Sequence, residues 1–192
     1  MTDLITRIQS WYKTNCNGDW EHSYGLSLST LDNPGWSLTI ALQETALEKL
    51  DFNREYQSKE NEHDWYFIRV VNREINIACS PDNLSQVLQI FLDEIIPSHA
   101  DPDFLYDIYV PLRGYKQPLW TVAKGRLIKE DTLELVDVPA VDYKQIKVTT
   151  ADHFGFTESD VKEFIPVFKA GDKVLTDIAE LHDGVTLVAK QK

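Results

Sequence analysis

A chain of 192 residues, 43% hydrophobic and 26% charged, can bury a core in one domain or two small ones, and it is too apolar for a disordered tail. The net charge of −12, from 31 acids against 19 bases, opposes a phosphate backbone and disfavours nucleic acid, but it favours encounter with a basic partner. No apolar run approaches the ~18 residues of a membrane helix, and no basic stretch leads into an apolar core at the N-terminus, so a cytoplasmic protein without membrane partners is expected.

The acid excess is uneven. Residues 1–100 carry 15 acids and 7 bases, residues 101–192 carry 16 and 12. Acidity alone also serves solubility, so it does not by itself identify a partner. Cys16 and Cys79, with no export signal ahead of them, read as buried or free thiols and not as a disulfide framework.

Residues 2–14 predict an amphipathic helix, with Leu4, Ile5, Ile8, Trp11 and Tyr12 on one face, Thr2 as cap and Asp3 at the positive end of the dipole. Asn15, Asn17 and Gly18 end it. A hairpin follows, in which Tyr24, Leu26 and Leu28 alternate with small polar residues as a half-buried strand. Asn33-Pro34-Gly35-Trp36 has the residue order of a type II turn, and Trp36, Leu38, Ile40 and Leu42 mark the return strand. Leu47, Leu50 and Phe52 fit a short helix or, preferably, a strand running to Tyr56, before a polar loop over 57–63. Asp64 to Val71 has apolar residues on both faces and predicts a strand covered on both sides. Asn72-Arg73 turns it into Glu74–Cys79.

Ser80-Pro81-Asp82 predicts a helix start, and Leu84, Val87, Leu88, Phe91, Leu92, Ile95 and Ile96 form its apolar stripe until Pro97 stops it. The polar, proline-containing stretch 97–103 separates a first domain, 1–98, from a second, 103–192. In the second, strands are expected at 106–112, 119–128, 132–138 and 143–148, a short helix from Thr157 to just before Pro166, and a hairpin of 173–181 with 185–189 across His182-Asp183-Gly184. The class is therefore α+β: an antiparallel sheet flanked by an N-terminal helix and a second helix at about 81–96, followed by a mainly β C-terminal part.

The chemistry-bearing residues crowd between Cys16 and Trp36. Cys16, Asp19, Glu21 and His22 are all metal-ligand types, but their spacing matches no zinc pattern, and the alternative is that they cap and hydrogen-bond the turn into the sheet. No nucleophile motif and no phosphate-cradling glycine loop is present, so neither an enzyme nor a cofactor is expected. The enzymatic alternative is a hydrolase or metal-dependent enzyme using His22 with Glu21 or Asp19. Trp36 and Trp65 lie in phase with apolar neighbours and read as core. Trp20, in a loop between acids, reads equally as core or as an exposed anchor.

The string Trp11-Tyr12, Cys16-Asn17-Gly18-Asp19-Trp20-Glu21-His22, Tyr24-Gly25 and Thr30-Leu31-Asp32-Asn33-Pro34-Gly35-Trp36 resembles the signature of the immunity protein 53 family. Asp64-Trp65 and Asn83-Leu84 with Ile90-Phe91-Leu92 extend the resemblance over about residues 5–96, and residues 100–192 lie outside it. The resemblance implies a bacterial protein that binds and neutralises a polymorphic toxin by occluding its active or substrate-docking surface. A nuclease-type toxin with a basic face would suit the acidity of this chain. Within that expectation, Asp19, Trp20, Glu21, His22 and Asp32 are the candidate toxin contacts, against the alternative that the shared motif is scaffold. A general protein-interaction module is the remaining alternative.

Overall fold

The computed structural model describes residues 3–113, 120–129, 132–139, 165–181 and 184–191. Contacts divide the chain into two units, Met1–Phe104 and Leu105–Lys192.

The first unit opens with helix α1, Leu4–Asn15. Its cap is Asp3, whose carboxylate accepts from the Thr6 N–H at 3.0 Å and the Thr6 hydroxyl at 2.6 Å, where the sequence had suggested Thr2. These bonds favour the carboxylate and hold the Asp3 pKa below its ordinary value, the Thr6 hydroxyl contributing most. A depressed folded value means the cap stabilises above the unfolded carboxyl pKa and is lost as pH falls through the folded one. Replacement Asp3→Ala should lower helix stability at neutral pH, and its difference from wild type should vanish in acid, as read by circular dichroism across pH. Leu4, Ile8 and Trp11 reach the core, but Ile5 of the expected stripe is 59% exposed.

A one-turn helix, α2 (Trp20–Ser23), leads into strands β1 (Leu26–Leu31) and β2 (Gly35–Ala41). Turns over 42–51 bury Leu47 and Leu50 ahead of β3 (Asn53–Gln57), so these leucines belong to neither a helix nor a strand. Strands β4 (Trp65–Val71) and β5 (Glu74–Cys79) follow, joined by Asn72 and Arg73, both in left-handed backbone as a two-residue type I′ hairpin requires. The antiparallel order is β1-β2-β5-β4-β3.

The β1–β2 turn corrects the sequence reading. Leu31 pairs with Gly35, so the loop is the three residues Asp32-Asn33-Pro34, and Gly35 lies in the β2 ladder without a positive φ. The glycine is needed for a different reason: a Cβ there would lie 2.5 Å from the Cys79 carbonyl oxygen.

The second helix starts later and runs further than expected. Ser80 to Asn83 form a turn, and α3 spans Leu84–Gln89. Asn83 precedes it, its side-chain amide donating to Asp64 Oδ1 at 2.7 Å. A π-helical turn, Ile90–Ile95, continues into α4, Ile96–His99, which contains the very Pro97 expected to stop it. A proline in an α-helix clashes with the carbonyl four residues back. The wider turn, in which the Ile96 N–H reaches Phe91 O, shifts the ladder just before the ring and lets the chain continue.

One face of the sheet carries Leu38, Ile40, Tyr66, Ile68, Ile75, Ile77 and Cys79 against Val87, Leu88, Phe91 and Ile95, forming one core with α1 packed alongside. The expectation that β4 is covered on both faces fails, because Phe67 is 39% and Val71 46% exposed. Strand β1 forms as expected but lies at the sheet edge, beyond the helices, and its Leu26 and Leu28 are exposed.

In the second unit, β6 (Tyr106–Arg113), β7 (Trp120–Lys129) and β8 (Thr132–Asp137) form a meander, joined by β10 (Lys173–Leu181) and β11 (Gly184–Lys190). The two residues β9 (Ile165–Pro166) pair with the end of β6. A parallel pairing, Val188 with Tyr109, joins β11 back to β6, so five strands close around Ile108, Val110, Leu133, Leu135, Val174 and Leu187. Register shifts in β7 beside Gly125 and Leu127 bend the strand. Gly184 already belongs to β11, paired with Leu181. The expected strand at 143–148, the helix from Thr157, the Glu130-Asp131 connection and the His182-Asp183 turn lie outside the described residues.

Candidate binding surface

The chemistry-bearing stretch folds mainly upon itself. Asn17 Oδ1 accepts from the N–H groups of Asp19 (3.0 Å) and Trp20 (2.9 Å), starting α2. The Glu21 carboxylate reaches back to the N–H groups of Asn17 (3.0 Å) and Gly18 (3.1 Å), with Gly18 supplying the φ of +99° that the bend requires. Trp20 is 1% exposed, packed edge-on to Trp11 and Tyr12, and its Nε1–H donates to Gln43 O at 2.8 Å. The reading of Trp20 as an exposed anchor is therefore corrected: its side chain is core. Loop position misled because a single helical turn suffices to aim an indole inward.

Cys16 is buried as well, its thiol donating to Tyr12 O at 3.4 Å. Burial, then the charge of Glu21, pushes its pKa up to about 11, and burial does the same for Cys79, also to about 11. Neither is poised as a thiolate ligand or nucleophile. Both should resist iodoacetamide in the folded protein and react fully once denaturant is added, which mass spectrometry of the alkylated chain reads directly.

The metal-ligand types of this stretch do not converge. Among the described residues no group of three His, Cys, Asp or Glu is placed to hold a metal ion. Asp19 and His22 are exposed, with the carboxylate of Glu21 turned towards the loop amides. Asp32 lies at the far end of the sheet. Trp20 is tied to Gln43, next to the end where Ala41 N–H meets Gly25 O, whereas Asp32 caps the other end of β1. Six strand residues separate them, about 20 Å at 3.3 Å per residue. The candidates thus occupy two places, not one.

The sequence reading missed the face of the sheet opposite the helices. Register places Ser29, Ser37, Ala78, Phe67 and Glu55 in one row across all five strands, and Ser27, Thr39, Asn76, Arg69 and Asn53 in the next. Trp65 and Gln57 continue the face at one end, Val71, Glu74 and Ala41 at the other. The floor on β1, β2 and β5 is small and mostly hydroxylated. The β4 side chains stand above it as a ridge, bordering a shallow open depression whose walls include Glu55, Gln57, Trp65, Phe67 and Arg69. Trp65, expected in the core, is half-buried on this ridge. The signal was the alternation of Ser and Thr with apolar residues along β1 and β2, which the sequence reading used to place the strands without drawing a surface from the polar row.

Electrostatics add to this. Five of the seven bases in residues 1–104 are held in ion pairs: Arg7 with Asp93, Lys49 with Asp101, Arg54 with Glu94, Arg69 with Glu55, and Arg73 with Glu48. At the Trp65 end of the sheet, the strand–strand loops and the segment from β5 to α3 carry Asp32, Glu60, Glu62, Asp64 and Asp82 against Lys59 and His63. Asp64 is engaged with Tyr56 and Asn83, and the others are exposed.

No helix among the described residues is long and apolar enough to cross a membrane. Comparison with curated proteins and with solved structures gave no match. The family model of immunity protein 53 matches residues 5–95. Just under half of the chain, and nearly all of the first unit, thus matches the immunity protein 53 family.

Proposed function

We propose that this protein is an immunity protein that binds a cognate bacterial toxin of a polymorphic toxin system and neutralises it without chemistry, by covering its active or substrate-docking surface. The family match over residues 5–95 carries this reading. The acid excess of the first unit, most of whose bases are already paired, favours a basic toxin, of which a nuclease is one kind, and fast association with it. Asp19, His22 and Asp32 are exposed and available to a partner, Glu21 only in part. Function in the cytoplasm, where such a toxin would act, belongs to the same proposal.

The test is co-expression with the toxin encoded beside it. Relief of growth arrest, together with a complex that survives size-exclusion chromatography, is the expected result. No complex at micromolar concentration and no rescue would reject the proposal. Activity lost on His22→Ala, found with bound metal in the purified protein, would favour the hydrolase alternative instead.

A further inference from the structure

We infer that the toxin docks on the uncovered face of the first sheet at its Trp65 end, with Phe67 and Trp65 as apolar anchor and with Asp32, Glu60, Glu62 and Asp82 around them facing a basic surface of the toxin. This rests on the immunity reading and names the surface and chemistry of the partner. Three observations lead there.

The face runs over five strands and presents, on β1, β2 and β5, a mostly hydroxylated floor that no helix of the first unit covers, because the helices pack against the core cluster on the other side. A ridge of large side chains crosses it. Phe67 is 39% exposed beside the half-buried Trp65, while Val71, 46% exposed, lies beyond Arg69 at the far end of the ridge. Scattered apolar residues on a surface mean little, but Trp65 and Phe67, neighbours on one strand face and lining a depression, form a patch of the kind that anchors partners. Finally, the charge is one-sided where the patch ends. Arg69, the cation on the face, is already paired with Glu55 at 3.2 Å, and the loops around Trp65 hold four exposed carboxylates against Lys59 and His63. An acidic or neutral partner would be repelled or indifferent there, and a basic one is drawn in. The opposite end of the sheet, with Asp19 and His22, offers exposed polar groups and Val71 but, among the described residues, no aromatic side chain on this face.

The experiment is calorimetric titration of the full chain with the catalytically inactivated toxin domain encoded beside it. Wild type must bind, which tests the immunity reading on its own; absence of binding removes that reading and this inference together. Given binding, Phe67→Asp is expected to weaken affinity about 100-fold. Ser29→Arg, at an exposed floor position with no packing to lose, is expected to weaken it at least ~10-fold by bulk and like charge, so a folding defect in Phe67→Asp would not leave the matter open. Glu60→Lys with Glu62→Lys should slow association about 10-fold and flatten its salt dependence. Asp19→Asn with His22→Ala should stay within about 3-fold of wild type. Wild-type affinity in the face variants, or the loss confined to the Asp19 and His22 variant, would overturn the inference. So would a dimer that Phe67→Asp dissociates while toxin affinity is unchanged, since the face would then belong to a second copy.

Discussion

Replacing Trp20 with alanine is expected to cost about 3–5 kcal/mol, the range for emptying a buried aromatic site. The residue sits 1% exposed, touching Trp11 at 6.0 Å, Tyr12 at 5.9 Å and Tyr24 at 6.3 Å between ring centroids, so it ties α1 to the chain that follows α2. It also donates to Gln43 O, so truncation leaves that carbonyl without its partner. Trp20→Phe keeps most of the ring contact and loses the N–H, for which about 1–2 kcal/mol is expected. Urea unfolding followed by far-ultraviolet circular dichroism separates the two. A loss below about 1 kcal/mol in Trp20→Ala would mean that the indole is not buried in solution.

Gly35→Ala comes next. The added methyl would meet the Cys79 carbonyl oxygen at 2.5 Å, and this is backbone, with no flexible tip to swing away. Cys79 pairs with both Trp36 and Tyr66, so relief of the clash must disturb the centre of the sheet. A loss of about 1–3 kcal/mol, towards the upper end, is expected. Asparagine distinguishes this explanation from the turn that the residue order had suggested. A type II turn tolerates Asn at the glycine position because Asn accepts left-handed backbone. Close approach predicts that Gly35→Asn is at least as damaging as Gly35→Ala, while Pro34→Ala, at an exposed site, changes stability by no more than about 0.5 kcal/mol.

These two positions show where the sequence was legible and where it was not. Periodicity identified the stripe Leu84 to Ile96 and the alternation along β2, because a single rule, apolar side inward, governs both. It misplaced the end at Pro97, since a one-residue change of hydrogen-bond register leaves no mark in the hydrophobic pattern. Pro34-Gly35 was read through backbone propensity, whereas the glycine answers to a carbonyl from a strand more than forty residues away. Trp20 was ambiguous because flanking acids say nothing about which way one helical turn faces. On β4 the reading took apolar residues on both faces to mean two covered sides, and the exposed Phe67 and Val71 show that one side is enough. Asp19 and Asp32 look like neighbours in a crowded motif. Only the length of β1 reveals that they are at opposite ends.

The alternation of the first sheet has a consequence for how such a chain can change over time. Successive residues on β2 point to opposite sides, so Leu38 and Ile40 hold the core while Ser37 and Thr39 meet only what lies outside it. Substitutions at exposed Ser27, Ser29 or Glu55 are expected to shift stability by no more than about 0.5 kcal/mol, yet each redraws the outer surface. The two rows can drift independently, one under the demand to stay folded and the other free to track whatever the surface must fit. A scaffold organised this way can be retargeted one exposed side chain at a time.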